Sequence, residues 1–112
     1  MTTEYQNIVP AQILPLGQLT VYNSTGVITI IDAFTMTNIS PANVTVDVYM
    51  VPNGDTASEE NRIIKNHILA SEETYPFYEL LAHTINAGGF IVVQTDTNAA
   101  VNLMISGRVI TP

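Results

Sequence analysis

The run VTVDVYMV, Val44 to Val51, puts Val44, Val46, Val48 and Met50 on one side and Thr45, Asp47 and Tyr49 on the other. Side chains of an extended chain alternate between faces, so this period of two predicts a half-buried β-strand. Related runs recur along the chain between clusters of turn residues. LTVY, from Leu19, ends at Asn23-Ser24-Thr25-Gly26. VITIIDAFTMTN, Val27 to Asn38, is rich in β-branched residues and long for one strand, and a bulge near Asp32 would let it continue. In RIIKNHIL the second half predicts a strand, with Ile64, Asn66 and Ile68 alternating against Lys65, His67 and Leu69. Pro76 opposes a long helix in YPFYELLAHTI, so a short strand is expected near Phe77–Leu80. Asn86-Ala87-Gly88-Gly89 is a turn. FIVVQTDTNAAVNLMISGRVI, Phe90 to Ile110, reads as a hairpin, with Val101, Leu103, Ile105 and Val109 on one face. About seven or eight short strands with almost no helical periodicity predict an all-β fold, an antiparallel β-sandwich of jelly-roll type.

A length of 112 residues suits one domain. Residues 18–112 are expected to form the sandwich, and residues 1–17 an extended N-terminal arm. Pro10 and Pro15 forbid a regular helix or a central strand there. Ile8, Val9, Ile13, Leu14 and Leu16 are nevertheless too apolar for a free tail. They either pack along their own domain or form assembly contacts with a neighbouring subunit.

The charge pattern narrows the partners. The net charge is −7, with Arg62, Lys65 and Arg108 as the only basic residues. Phosphate backbones and anionic lipid surfaces are held by clustered Lys and Arg, so neither nucleic acid nor membrane is expected as a partner. Charged residues make up 12% of the chain, against about 25% in ordinary soluble domains. Thr, Asn and Ser replace them. Such groups are buried at low cost once hydrogen-bonded, whereas each buried ion needs a partner. That composition favours a subunit that meets other subunits. There is no cysteine, hence no disulfide and no thiolate site. No basic-then-apolar leader is present and no apolar run approaches about 20 residues, which predicts synthesis and assembly in a cytoplasm.

The chemical motifs are weak. His67 and His83 lie near Glu72, Glu73 and Glu79, but without HxH or HExxH spacing. Asp55, Glu59 and Glu60 share one connection without the alternating rhythm of a calcium loop. There is no G-x-S-x-G elbow and no phosphate-cradling glycine loop. No enzyme activity, cofactor or metal is expected. Tyr75, Phe77 and Tyr78 form the one aromatic cluster. They either pack in a core or interface, or stack a sugar, as in a carbohydrate-binding or adhesion module.

Several short motifs carry a resemblance. They are Met36-Thr37-Asn38, Val51-Pro52-Asn53-Gly54, Ile63-Ile64-Lys65-Asn66, Gly88-Gly89-Phe90-Ile91 and Ser106-Gly107-Arg108-Val109-Ile110. In this order, over residues 26–110, the chain resembles small β-sandwich structural proteins of tailed bacteriophages. The resemblance implies a non-enzymatic virion component: a head decoration protein, a head fibre or a neck or tail accessory. Its partners would be other virion proteins and further copies of itself, a trimer being favoured. It would reside in the virion after synthesis in the bacterial host cytoplasm.

Overall fold

The structure, a computed structural model, describes residues 1–112. Nine strands form two antiparallel sheets. They are β1 (Thr2–Leu14), β2 (Gly17–Asn23), β3 (Ile28–Asn38), β4 (Val44–Val51), β5 (Arg62–Leu69), β6 (Thr74–Tyr75), β7 (Thr84–Ile85), β8 (Phe90–Thr95) and β9 (Val101–Thr111). Sheet A runs β1-β9-β3-β6, with β7 also on β3, and sheet B runs β2-β8-β4-β5. Counting β6 and β7 as one interrupted strand, this is the eight-strand order of a jelly roll. All connections except β4–β5 and β6–β7 cross from one sheet to the other.

The core lies between the sheets. Ile31, Phe34 and Met36 of β3 and Leu103 and Ile105 of β9 meet Val44 and Val46 of β4 and Ile91 of β8. Phe34 and Phe77 meet edge to face, with ring centroids 5.6 Å apart.

Several of the short motifs have packing reasons. The Asn38 carboxamide is fully buried, donates to the carbonyls of Ala42 and Leu69, and accepts from Ser40, so it ties off the β3–β4 turn. Gly88 has φ +87°, and a Cβ there would overlap the Asn53 side chain. A Cβ on Gly107 would overlap the carbonyl oxygen of Ile30 on the neighbouring strand. These residues belong to the turns and strand contacts of a sandwich, so their spacing reports the fold.

Several expectations are met, and several need correction. The bulge at Asp32 is present: Ile31 faces Gly107 and Ala33 faces Ser106. Residues 2–14 are extended and pair with β9 as the edge strand of sheet A, so they are part of the sandwich. An edge is where a strand tolerates proline. Asp47 and Tyr49 are buried, not solvent-facing. The connection after β4 folds back so that Ala57, with Phe90, covers a small second core of Tyr49, Val51 and Val92 on the outer side of sheet B.

In β5 the expected alternation fails midway. Asn66 takes φ 51°, and three steps of β5 oppose two of β4 between His67 and Ile64. This bulge lets Ile64 and Leu69, an odd distance apart, both point inward while Ile68 faces out. Residues Tyr78–Leu80 form a 3₁₀ turn, not a strand. Phe77 and Leu80 are both buried, and a three-residue turn brings that spacing onto one side.

Phe90–Ile110 is not a hairpin, because β8 lies in sheet B and β9 in sheet A. Its polar link bridges the sheets: Asp96 exchanges hydrogen bonds with the backbone of Thr45 in sheet B, and the Ala99 amide donates to Leu14 in sheet A. The apolar run FIVV was the sign, since Ile91 and Val93 enter the main core while Val92 enters the second one.

Gly107→Ala tests the close approach of β9 to β3. The overlap is with backbone, which yields little, so a loss of about 1–3 kcal/mol in urea unfolding is expected. An unchanged midpoint would mean that the two strands are not in this register.

Candidate assembly surface

Few cations are available, and the fold uses all of them internally. Arg62 donates to Asp47 through Nε and Nη2 and to Glu59 through Nη1. The Lys65 ammonium lies 3.5 Å from Glu59, and Arg108 lies 2.9 Å from Asp32. The Glu59 carboxyl is held below its usual range first by the hydrogen bond from Arg62 and then by the charge of Lys65. Three of ten acids are thereby matched, leaving 10 − 3 = 7 without a basic partner. Six of these, Asp55, Glu60, Glu72, Glu73, Glu79 and Asp96, lie in connections between strands, and only Glu4 is in a strand.

The two flanks of the sandwich therefore differ. One flank is closed by β5 above β6 and β7. It carries Arg62, Lys65, the Asn66 bulge and two strands of two residues each. Charge, bulges and shortness are the usual means of stopping a sheet edge from pairing with another chain. The other flank is made by β1, of 13 residues, and β2, of 7 residues, with Glu4 as its only ion. Pro10 and two register breaks interrupt β1, so its edge is unsuited to a continuous backbone ladder.

The outer face of sheet A adjoins this flank. Register places Ile13 beside Asn102, Thr37 and Thr74 in one row. Met104 sits beside Thr35, and Tyr5 beside Arg108 and Ile30. The only ions on the face are the mutually paired Asp32 and Arg108. Large apolar side chains stand out into solvent here: Tyr5 (82% exposed), Leu16 (61%), Ile13 (49%) and Met104 (44%). They form a loose patch spread along the sandwich: Tyr5 lies in the row of Arg108, Met104 in that of Thr35 and Ile13 in that of Asn102, while Leu16 follows β1 with its amide bonded to Asn98. Exposed apolar side chains grouped on one surface mark contact sites on soluble proteins.

Of the five residues expected to make assembly contacts, Ile13 and Leu16 belong to this patch. Val9 and Leu14 are buried in the core, and Ile8 is half-buried against it. Tyr5 and Met104 were not foreseen. Met104 was readable as the outward residue between inward Leu103 and Ile105, whereas Tyr5 carries no such signal.

The aromatic trio does not form a platform. Phe77 is wholly buried, Tyr75 packs on Phe77 and His67 at centroid distances of 4.7 and 4.3 Å, and Tyr78 is exposed away from these ring contacts. Burial, and then Glu79 beside it, push the Tyr75 phenol above its ordinary value of 10.0. The His67 Nε2 is buried without a hydrogen-bond partner. No three His, Asp or Glu side chains converge as metal ligands would. A cavity of about 430 Å³ opens between the β4–β5 connection and the β7–β8 turn, and no ionisable side chain lines it.

Two measurements test these electrostatics. Asp47 is 4% exposed whereas the Arg108–Asp32 pair is about one-third exposed, so Arg62→Gln should lower the urea midpoint more than Arg108→Gln. Equal effects would contradict the burial of Asp47. Tyr75 has a raised value in the folded state, so its contribution is complete below pH 10 and lost as pH rises through the folded value. Tyr75→Phe should flatten the alkaline fall in stability, and a fall of unchanged size would assign it elsewhere.

No family model matches the chain and no curated protein matches it, so the functional reading rests on this surface.

Proposed function

We propose that the chain is a non-enzymatic structural component of a tailed-phage virion, a capsid decoration, head fibre or neck or tail accessory protein, acting through protein–protein contacts. The observation that carries the reading is the division of charge. Six of the seven acids without basic partners lie in connections between strands, whereas the exposed Tyr5, Ile13 and Met104 lie in β1 and β9, where Glu4 is the one unmatched acid. A free monomer gains nothing from concentrating exposed apolar side chains where ions are missing, whereas a subunit does. The Thr, Asn and Ser rows around Met104 can be desolvated with hydrogen bonds instead of ion pairs. The motif resemblance and the jelly-roll order point the same way, that fold being common among viral capsid domains. The partners are other virion proteins and further copies of the chain, a trimer being the form we favour.

The decisive experiment is mass spectrometry of gradient-purified particles, comparing wild type with Met104→Lys. The wild-type chain should be present at many copies per particle. The lysine variant, placing a charge within the neutral patch, should fold normally yet be depleted at least tenfold. A chain missing from wild-type particles, or a variant incorporated as well as wild type, would sink the proposal.

A further inference from the structure

We infer that the cavity between the β4–β5 connection and the β7–β8 turn binds a neutral sugar ring. The inference goes beyond the assembly role and does not rest on it, since none of the lining residues belongs to the apolar patch. The cavity, of about 430 Å³, is the one that the fold leaves open. Its size falls within the roughly 300–1,000 Å³ of small-molecule sites.

Two kinds of side chain line it. Met50, Val51 and Ile85 are apolar; Val51 and Ile85 are buried and Met50 is half-buried. Asn53, Thr84 and Asn86 are polar, and none of these three side chains is used by the fold as the carboxamides of Asn38 and Asn61 are, which tie down backbone carbonyls. The rim is braced. The Gly88 amide donates to the Ser24 carbonyl and the Ser24 amide to the Gly89 carbonyl, each at 2.8 Å, and the Gly89 amide donates to Asn86 at 2.9 Å. The Asp55 amide closes the facing turn on the Pro52 carbonyl at 3.1 Å. The Asn53 side chain fills the space that a Cβ on Gly88 would need, so the two loops pack directly on each other. A ligand therefore meets a pre-formed site and binds without the cost of ordering a loop.

Chemistry selects the ligand. An anion is held by charged donors, and Arg62, Lys65 and Arg108 are all engaged elsewhere in the fold. No carboxylate lines the cavity to receive a cation. The ligand is therefore neutral. A wholly apolar one would cover Asn53, Thr84 and Asn86 without replacing their hydrogen bonds to water, which is unfavourable. Carboxamides and a hydroxyl both donate and accept, as sugar hydroxyls do. The C–H face of a pyranose ring meanwhile suits Met50, Val51 and Ile85. A neutral hexose or N-acetylhexosamine meets both demands. Tyr75, Phe77 and Tyr78, the stacking residues expected from the sequence, take no part in this cavity.

The test is titration of isotope-labelled protein with glucose, galactose and N-acetylglucosamine, followed by NMR. A few hydrogen bonds to one ring support a Kd on the order of 1 mM, so the sugars are taken well above that. At least one of them should shift the backbone amide signals of Asn53, Asn86, Gly88 and Gly89 to saturation. Asn86→Ala and Thr84→Val alter exposed side chains and should keep the parent's thermal midpoint, yet each should weaken that binding by about threefold or more. Glucuronate, which adds a carboxylate, should bind more weakly than the best of the neutral sugars. Three results would overturn the inference: no saturable shift with any neutral sugar, shifts centred instead on Tyr75 and Tyr78, or unchanged affinity in both variants. Tighter binding of glucuronate, or of N-methylacetamide as a peptide-group mimic, would overturn it as well.

Discussion

The buried carboxylate of Asp47 sets much of what surrounds it. A carboxylate taken out of water must be met by donors. Asp47 receives the Arg62 guanidinium and the backbone amide of Asn66. That amide is available because Asn66 sits in the left-handed bulge, and the bulge resets β5 so that both Ile64 and Leu69 reach the core. Arg62 in turn engages Glu59 and lies 5.9 Å from the centre of the Tyr49 ring, at the margin of the second small core. One buried charge thus couples the phase of an edge strand, the course of the β4–β5 connection and the placement of two of the three cations.

The consequence reaches the opposite side of the molecule. With Arg62 and Lys65 committed to β5, and Arg108 to Asp32, nothing basic remains for the β1/β2 flank. One edge of the sandwich is protected by charge, a bulge and short strands, and the other is long and neutral. Such an asymmetry gives the domain a direction. The proposed role as a subunit would account for a composition with so few ions, because Thr, Asn and Ser can be covered by a neighbour at little cost.

How much was legible in the sequence varied with the range of the interactions. Period-two alternation in Val44–Val51, the Asp32 bulge and the outward position of Met104 follow from neighbours along one strand. The failures share a cause. The hairpin expected at Phe90–Ile110 turned out to be a link between sheets, because Thr45 and Leu14, both far away in the chain, hold its ends apart. Asp47 was expected in solvent and is buried, because the partner that neutralises it is fifteen residues on. The aromatic run Tyr75–Tyr78 looked like one cluster, yet a 3₁₀ turn sends Phe77 into the core and leaves Tyr78 outside.

The amino-acid sequence by itself determined that this chain is all-β, that it has no thiol, and that its strands carry little charge. These are consequences of local periodicity and composition, which need no knowledge of what lies across the fold. Only the tertiary structure decided which residues of the first seventeen are core and which are surface, since Val9 and Leu14 turn inward while Ile13 and Leu16 do not. It also decided that β1 and β2, with Glu4 as their only ion, form the flank opposite β5. Which face a strand shows to water depends on its bulges, on the sheet it joins and on where distant ions find partners, and those are properties of the assembled sandwich.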